Sequence, residues 1–251
     1  MRAHTKAVAL KQNLLLRSLL TLLLVLPVLL ISCSGAPPEI AQLFWQLNIV
    51  QDIKDSTQHE ELSLYVHAQD PDGKGDLEGI ELVHPEAELR WNFTEETWKE
   101  VVRSGEMWLG ENGIKSGFTD EVPRGEYRLK VIDKAGETAV TSFFISRDIQ
   151  GLQKGNLKES RFPKVQVTPD SIKLYFSAPE VLLSLYDGDE QFLRSQAFTP
   201  AAESEGDSGK VLTITDWRSK WPGAEMMWIQ EYDSARGFGL VSGPYLLPQS
   251  E

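Results

Sequence analysis

Between Glu61 and Gln69 the chain reads ELSLYVHAQ, and its apolar and polar side chains alternate almost one for one. Leu62, Leu64, Val66 and Ala68 fall on one face, Ser63, Tyr65 and His67 on the other. A period of two suits a half-buried β-strand and leaves a helix without a continuous apolar stripe. The pattern returns in LEGIELV and in GEYRLKVIDKAGETAVTSFFI, where Tyr127, Leu129 and Val131 share a face and DKAGE supplies a turn at Gly136. Beyond residue 163 it recurs in SIKLYF, EVLLSLY, EQFLRSQAF, KVLTITDW, EMMWIQEY and GLVSGPYLL, with a hairpin signal at Asp187-Gly188. No repeat of about 20–50 residues is visible, which argues against a solenoid or propeller. One segment breaks the period. In NFTEETWKEVVRSG, Thr94 as cap, Trp98, Val101 and Val102 on one face and Gly105 as stop predict a short helix between strands.

The N-terminus follows a different logic. Arg2, Lys6, Lys11 and Arg17 precede SLLTLLLVLPVLLISC, an apolar run of about 14 residues, the length of a signal-peptide core and short of the ~20 a membrane helix needs. The last four residues, LISC from Leu30 to Cys33, resemble the bacterial lipobox. The resemblance implies cleavage before Cys33 and acylation of its sulfur and its new amine. Each buried CH₂ contributes about 0.8 kcal/mol, so two or three acyl chains anchor far more firmly than one. Ser34, rather than aspartate, follows the cysteine; under enterobacterial-type sorting that favours the outer membrane.

Cys33 is the single cysteine of the 251 residues. An exported body with no second cysteine cannot close a disulfide, build a thiolate metal site or use a cysteine nucleophile, so it must be held by packing. Loss of residues 1–32 removes four basic residues and no acidic ones, taking the formal charge from −12 to −16. That balance argues against nucleic acid and against polybasic docking on anionic lipid. The expected location is the cell envelope, lipid-anchored to the outer or the cell membrane.

The stretches YVHAQDPDGKGDLEGIELV and PRGEYRLKVIDKAGETAVTSFFI resemble bacterial immunoglobulin-like and fibronectin-type-III-like modules over roughly residues 39–147. The expectation is an all-β chain of two immunoglobulin-like β-sandwich domains, the first with a short helical insertion. Residues 1–32 are the signal peptide, 33–38 a lipidated tether and 39–147 the first sandwich. A polar linker, 148–162, leads to a second β-rich domain, 163–251.

The densest chemical signal is DPDGKGD, Asp70 to Asp76. Counted as an EF-hand loop, it offers Asp70, Asp72, Gly75 and Glu81 at useful positions. Lys74 then stands where an oxygen ligand belongs, and the flanks are strands rather than helices. A looser calcium site from Asp70, Asp72 and Asp76 is the functional reading. A polar turn is the structural one, since Pro, Asp and Gly each serve turn geometry.

Other chemistry is sparse. His59, His67 and His84 lack zinc-ligand spacing, and the chain has no Gly-x-Ser-x-Gly elbow or phosphate loop. No organic cofactor is implied. Trp217 and Trp221 flank RSK before WPG; exposed, they would stack on sugar rings, and buried, they would fill a core. The expected function is a non-catalytic binding or structural module joined to the membrane, with another envelope protein or a glycan as partner. The alternatives are a carbohydrate-binding module using those tryptophans, or a hydrolase with an Asp/Glu pair.

Overall fold

The computed structural model describes residues 35–146, 157–199, 209–233 and 237–248; the expected signal peptide, Cys33 and residues 148–156 of the expected linker lie outside these. Within the described residues the chain is all β apart from isolated helical turns.

The first half opens with a long hairpin. Strands β1 (Glu39–Asp52) and β2 (Thr57–Gln69) pair antiparallel along their whole length. β6 (Glu106–Ile114) lies beside β2, and β5 (Lys99–Arg103) closes that edge. Facing them is a second sheet in the order β4-β3-β7-β8, built from β3 (Leu77–His84), β4 (Leu89–Thr94), β7 (Gly125–Asp133) and β8 (Thr138–Ile145). Leu47, Leu62, Leu64 and Leu109 from one sheet meet Ile80, Leu82, Leu129 and Val131 from the other. The core therefore uses the apolar face that the alternation predicts, and the arrangement is a β-sandwich. Tyr127, fully buried, donates its hydroxyl to the Pro123 carbonyl at 2.8 Å. A tyrosine bonded back to the chain at the start of a strand is a corner device of immunoglobulin-like sandwiches.

The expected helical insertion is corrected. The Trp98 N–H reaches the Thr94 carbonyl at 2.8 Å, but the chain then extends into β5 and turns back as β6. Two features decide this. Adjacent Val101 and Val102 favour a pleated strand. Ser104 and Gly105 both have positive φ, 55° and 84°, the backbone of a two-residue hairpin turn rather than a helix stop.

The second half adds β9 (Lys164–Val167), β10 (Ser171–Phe176), β11 (Val181–Tyr186), β12 (Phe192–Phe198), β13 (Lys210–Thr215), β14 (Met226–Asp233) and β15 (Phe238–Leu246). β15 runs parallel to β1, with Asn48 opposite Gly239 and Val50 opposite Val241. One eight-stranded sheet, β12-β11-β14-β15-β1-β2-β6-β5, thus passes through both halves. A three-stranded sheet, β13-β10-β9, packs Ile172 and Leu174 on Leu183, Met227 and Ile229. The pairings Ile49–Leu240 and Leu240–Glu231 carry one face across the join, so both small sheets cover the same side of the large one. Phe162, at the end of the expected linker, is buried at that seam with Ile49, Phe238 and Leu240. The division at 148–162 separates the two larger apolar clusters, while the large sheet spans it.

Candidate functional sites

The acidic stretch folds as a turn and then does something more. Asp70 Oδ1 accepts the Asp72 N–H at 2.8 Å, the Asp70 carbonyl accepts the Gly73 N–H at 3.0 Å, and Gly73 takes φ +107°, where a side chain would be strained. Lys74–Asp76 makes a single 3₁₀ turn into β3. The Lys134 N–H donates to the Asp76 carbonyl at 2.8 Å, which fixes the end of β7 beside the start of β3. That contact brings Asp133 to Asp70 and Asp76, and one carboxylate oxygen from each lies within 4.8 Å of the others. Asp133 is fully buried; its Oδ1 accepts the Glu137 N–H at 2.8 Å, and its Oδ2 has no hydrogen-bond partner among the described residues. Asp70 Oδ2 is likewise buried without one. Partial burial, then the charges of Asp70, Asp133 and Asp72, push the Asp76 carboxyl above its ordinary value, opposed by Lys134.

Of the three residues proposed from sequence, Asp70 and Asp76 converge and Asp72 does not join them. Asp72 Oδ2 accepts the Ala36 N–H at 2.8 Å instead. The third member, Asp133, was missed because it arrives from a distant strand end, and no local spacing marks it.

The tryptophans also need correction. Trp217 and Trp221 are each 3% exposed and offer no face to a sugar. WRSK forms a one-turn helix, α1 (Trp217–Lys220), which sets the two indoles four residues apart on one side, packed with Ile214 and Leu247. Trp221 Nε1 donates to Gln196 Oε1 at 3.0 Å and Trp217 Nε1 to the Thr168 carbonyl at 3.4 Å, so both are satisfied core residues.

A cleft of about 1110 Å³ opens along the large sheet and is also lined by Val165 and Val167 of β9. Its floor carries Asn48, Ser63, Ser184, Tyr186, Trp228 and Gln230. Asn48 Nδ2 donates to Ser63 Oγ at 2.8 Å, and Asn48 Oδ1 accepts from Gln46 and Gln230 at 2.7 and 3.0 Å. The sheet curls strongly here: β5 and β12 are its opposite edges, yet Lys99 Nζ stands 5.4 Å from the Phe192 ring centroid. Burial, then Glu61 and Glu111, push the Tyr186 hydroxyl up to about 12. Burial also acts on Glu61, but the His59 ring at 2.8 Å and Lys115 at 3.0 Å outweigh it and hold the carboxyl below its ordinary value. Glu111 pairs with Lys99 at 2.5 Å. Each of these two carboxylates is tied to a basic partner, an arrangement that serves recognition better than proton transfer.

No protein-family model matches the sequence, and neither does any curated protein. Fifteen chains of solved structures match this one, among them murine CEACAM1b at 13% identity, covering 82% of this chain and 99% of that one with a TM-score of 0.21.

Proposed function

We propose that the chain is a bacterial envelope lipoprotein, anchored through acyl chains on Cys33, that acts as a non-catalytic binding module. The observation that carries this reading is the cleft, whose floor converges neutral amides and hydroxyls beside Trp228 and Tyr186. Pockets with few placed polar groups and aromatic walls are the usual form of a ligand site. The rim holds Asp52, Glu61, Asp187, Glu190 and Glu225 against Lys54 and Lys99, which disfavours anions. A neutral, hydroxyl-rich ligand such as an envelope glycan suits that chemistry better than a phosphate or a nucleic acid. The anchor rests on LISC and the short apolar run before it.

Two measurements test the reading. A palmitate analogue should label the wild-type chain in cells and not the Cys33→Ala variant; equal labelling would remove the anchor. Soluble cell-wall glycan fragments should change the tryptophan fluorescence of the wild type and not of Trp228→Phe, with the fragments recovered unaltered. Cleaved fragments would make the protein an enzyme, and an unchanged signal would remove the glycan as ligand.

A further inference from the structure

We propose that Asp70, Asp76 and Asp133 form a calcium site that pins the first residues of the mature chain to the sandwich. The three converging oxygens lie within 4.8 Å of one another, about the separation of two oxygens on opposite sides of an ion with bonds of about 2.3–2.6 Å. The independent sign of a ligand is Asp133. Its side chain is fully buried in the cluster, one oxygen is used by the Glu137 N–H, and the other is buried with no donor among the described residues. Asp70 repeats the pattern, with Oδ1 held by the Asp72 N–H and Oδ2 buried and free of donors. A buried carboxylate oxygen without a donor is costly, and two such carboxylates beside a third call for a cation. The nearby ammonium of Lys134 donates to the Gly75 carbonyl.

Calcium suits the site better than magnesium. The oxygens come from a turn, a strand start and a strand end, an irregular set that calcium accepts and octahedral magnesium does not.

The tether closes over this cluster. The Ala36 N–H is bonded to Asp72, and a Cβ built on Gly35 would stand 3.4 Å from Asp72 Oδ2 and 3.8 Å from Asp133 Oδ2. An ion drawing Asp70, Asp76 and Asp133 together stiffens the turn that carries Asp72 and so the tether's hold. Gly35 follows Cys33 by two residues, at most about 7 Å of chain. Calcium would therefore set how the body stands on the membrane, a consequence that rests on the lipid-anchor reading; the cation test does not.

The test uses the full chain in detergent, stripped with EDTA and then given calcium chloride or magnesium chloride at about 1 mM, the range of extracellular calcium modules. Calcium should raise the Tm by about 3 °C or more over the EDTA sample, magnesium by less, with calorimetric heat of binding. Asp133→Asn and Asp76→Asn should each lose the calcium response and, in EDTA, be at least as stable as the wild type, because a repelling charge is gone. Asp72→Ala should keep the response. A wild-type Tm and heat indifferent to calcium would overturn the proposal, as would a full response in both Asp133→Asn and Asp76→Asn. Loss in Asp72→Ala with retention in Asp133→Asn would return the site to the turn alone and overturn the role of Asp133.

Discussion

Glu60 and Arg124 clasp each other across the first sandwich in a two-pronged ion pair, with Nη1 and Nη2 each 2.7 Å from a separate carboxylate oxygen. Glu60 sits on β2 and Arg124 just before β7, so the pair joins the large sheet to the four-stranded one. Glu60 is 8% exposed and also accepts the Val122 N–H at 2.9 Å. Breaking one partner of a buried pair strands the other charge, which typically costs ~3 kcal/mol. Glu60→Leu and Arg124→Met should each lose about that much in urea unfolding, and the double Glu60→Leu/Arg124→Met variant less than the sum. Additive losses would mean that the two charges act separately.

The Glu61 carboxyl supplies a pH dependence of known sign. Its folded value lies below its ordinary one, so its contribution is present above the unfolded value of 4.5 and is lost as pH falls through the folded value. The groups facing it are His59 and Lys115, which hold it ionised, with Tyr186 nearby. Because Lys115 is half exposed, the effect should be modest, about 0.5–1 kcal/mol. Between pH 7 and 3, Glu61→Gln should start below the wild type and converge with it in acid. Parallel curves would show that the pair contributes no pH dependence.

Gly110 marks where β6 comes closest to β2. A Cβ there would stand 1.9 Å from the Leu64 carbonyl oxygen, a backbone atom that cannot swing aside. Gly110→Ala should part the two strands beneath Leu62, Leu64 and Leu109 and cost about 3 kcal/mol or more. Gly79→Ala is the control, since its Cβ would meet the Phe93 carbonyl at an ordinary 3.5 Å. The two variants separate steric fit from the loss of glycine as such. Equal midpoints in urea would refute the close approach.

Trp221 should behave as a core residue. Trp221→Ala removes a buried indole and its bond to Gln196, and should lower stability by about 3–5 kcal/mol. Trp228→Ala, on the half-buried cleft wall, should cost clearly less. A reversed order in chemical denaturation would mean that Trp221 is the exposed one.

Much of the fold was legible because strand period and turn chemistry are local. ELSLYVHAQ, the DKAGE hairpin and the Asp187-Gly188 hairpin each form where a few neighbouring residues predict. The failure at Asn92–Gly105 is instructive. TEETWKEVVRSG carries both a cap-and-stop helix pattern and a β-branched hairpin pattern, and pairing of Lys99–Arg103 against β6 decides between them. Tertiary context overrides a weak helical propensity of this kind.

What the sequence by itself determined is the all-β character, the apolar faces of its strands, the acidic turn, and a body that must hold together without disulfides. These follow from the two-residue side-chain period, from Asp, Pro and Gly backbone preferences, and from a single cysteine. Tertiary structure alone decided that β1 would pair with β15, that both small sheets would share one face, that a cleft would open beside Asn48, Ser63 and Gln230, and that Trp217 and Trp221 would turn inward. It also decided that Asp133 rather than Asp72 would complete the acidic cluster. Each of these depends on which distant segments become neighbours. That choice is made by burying apolar area across the whole molecule, not by anything a short window of sequence contains.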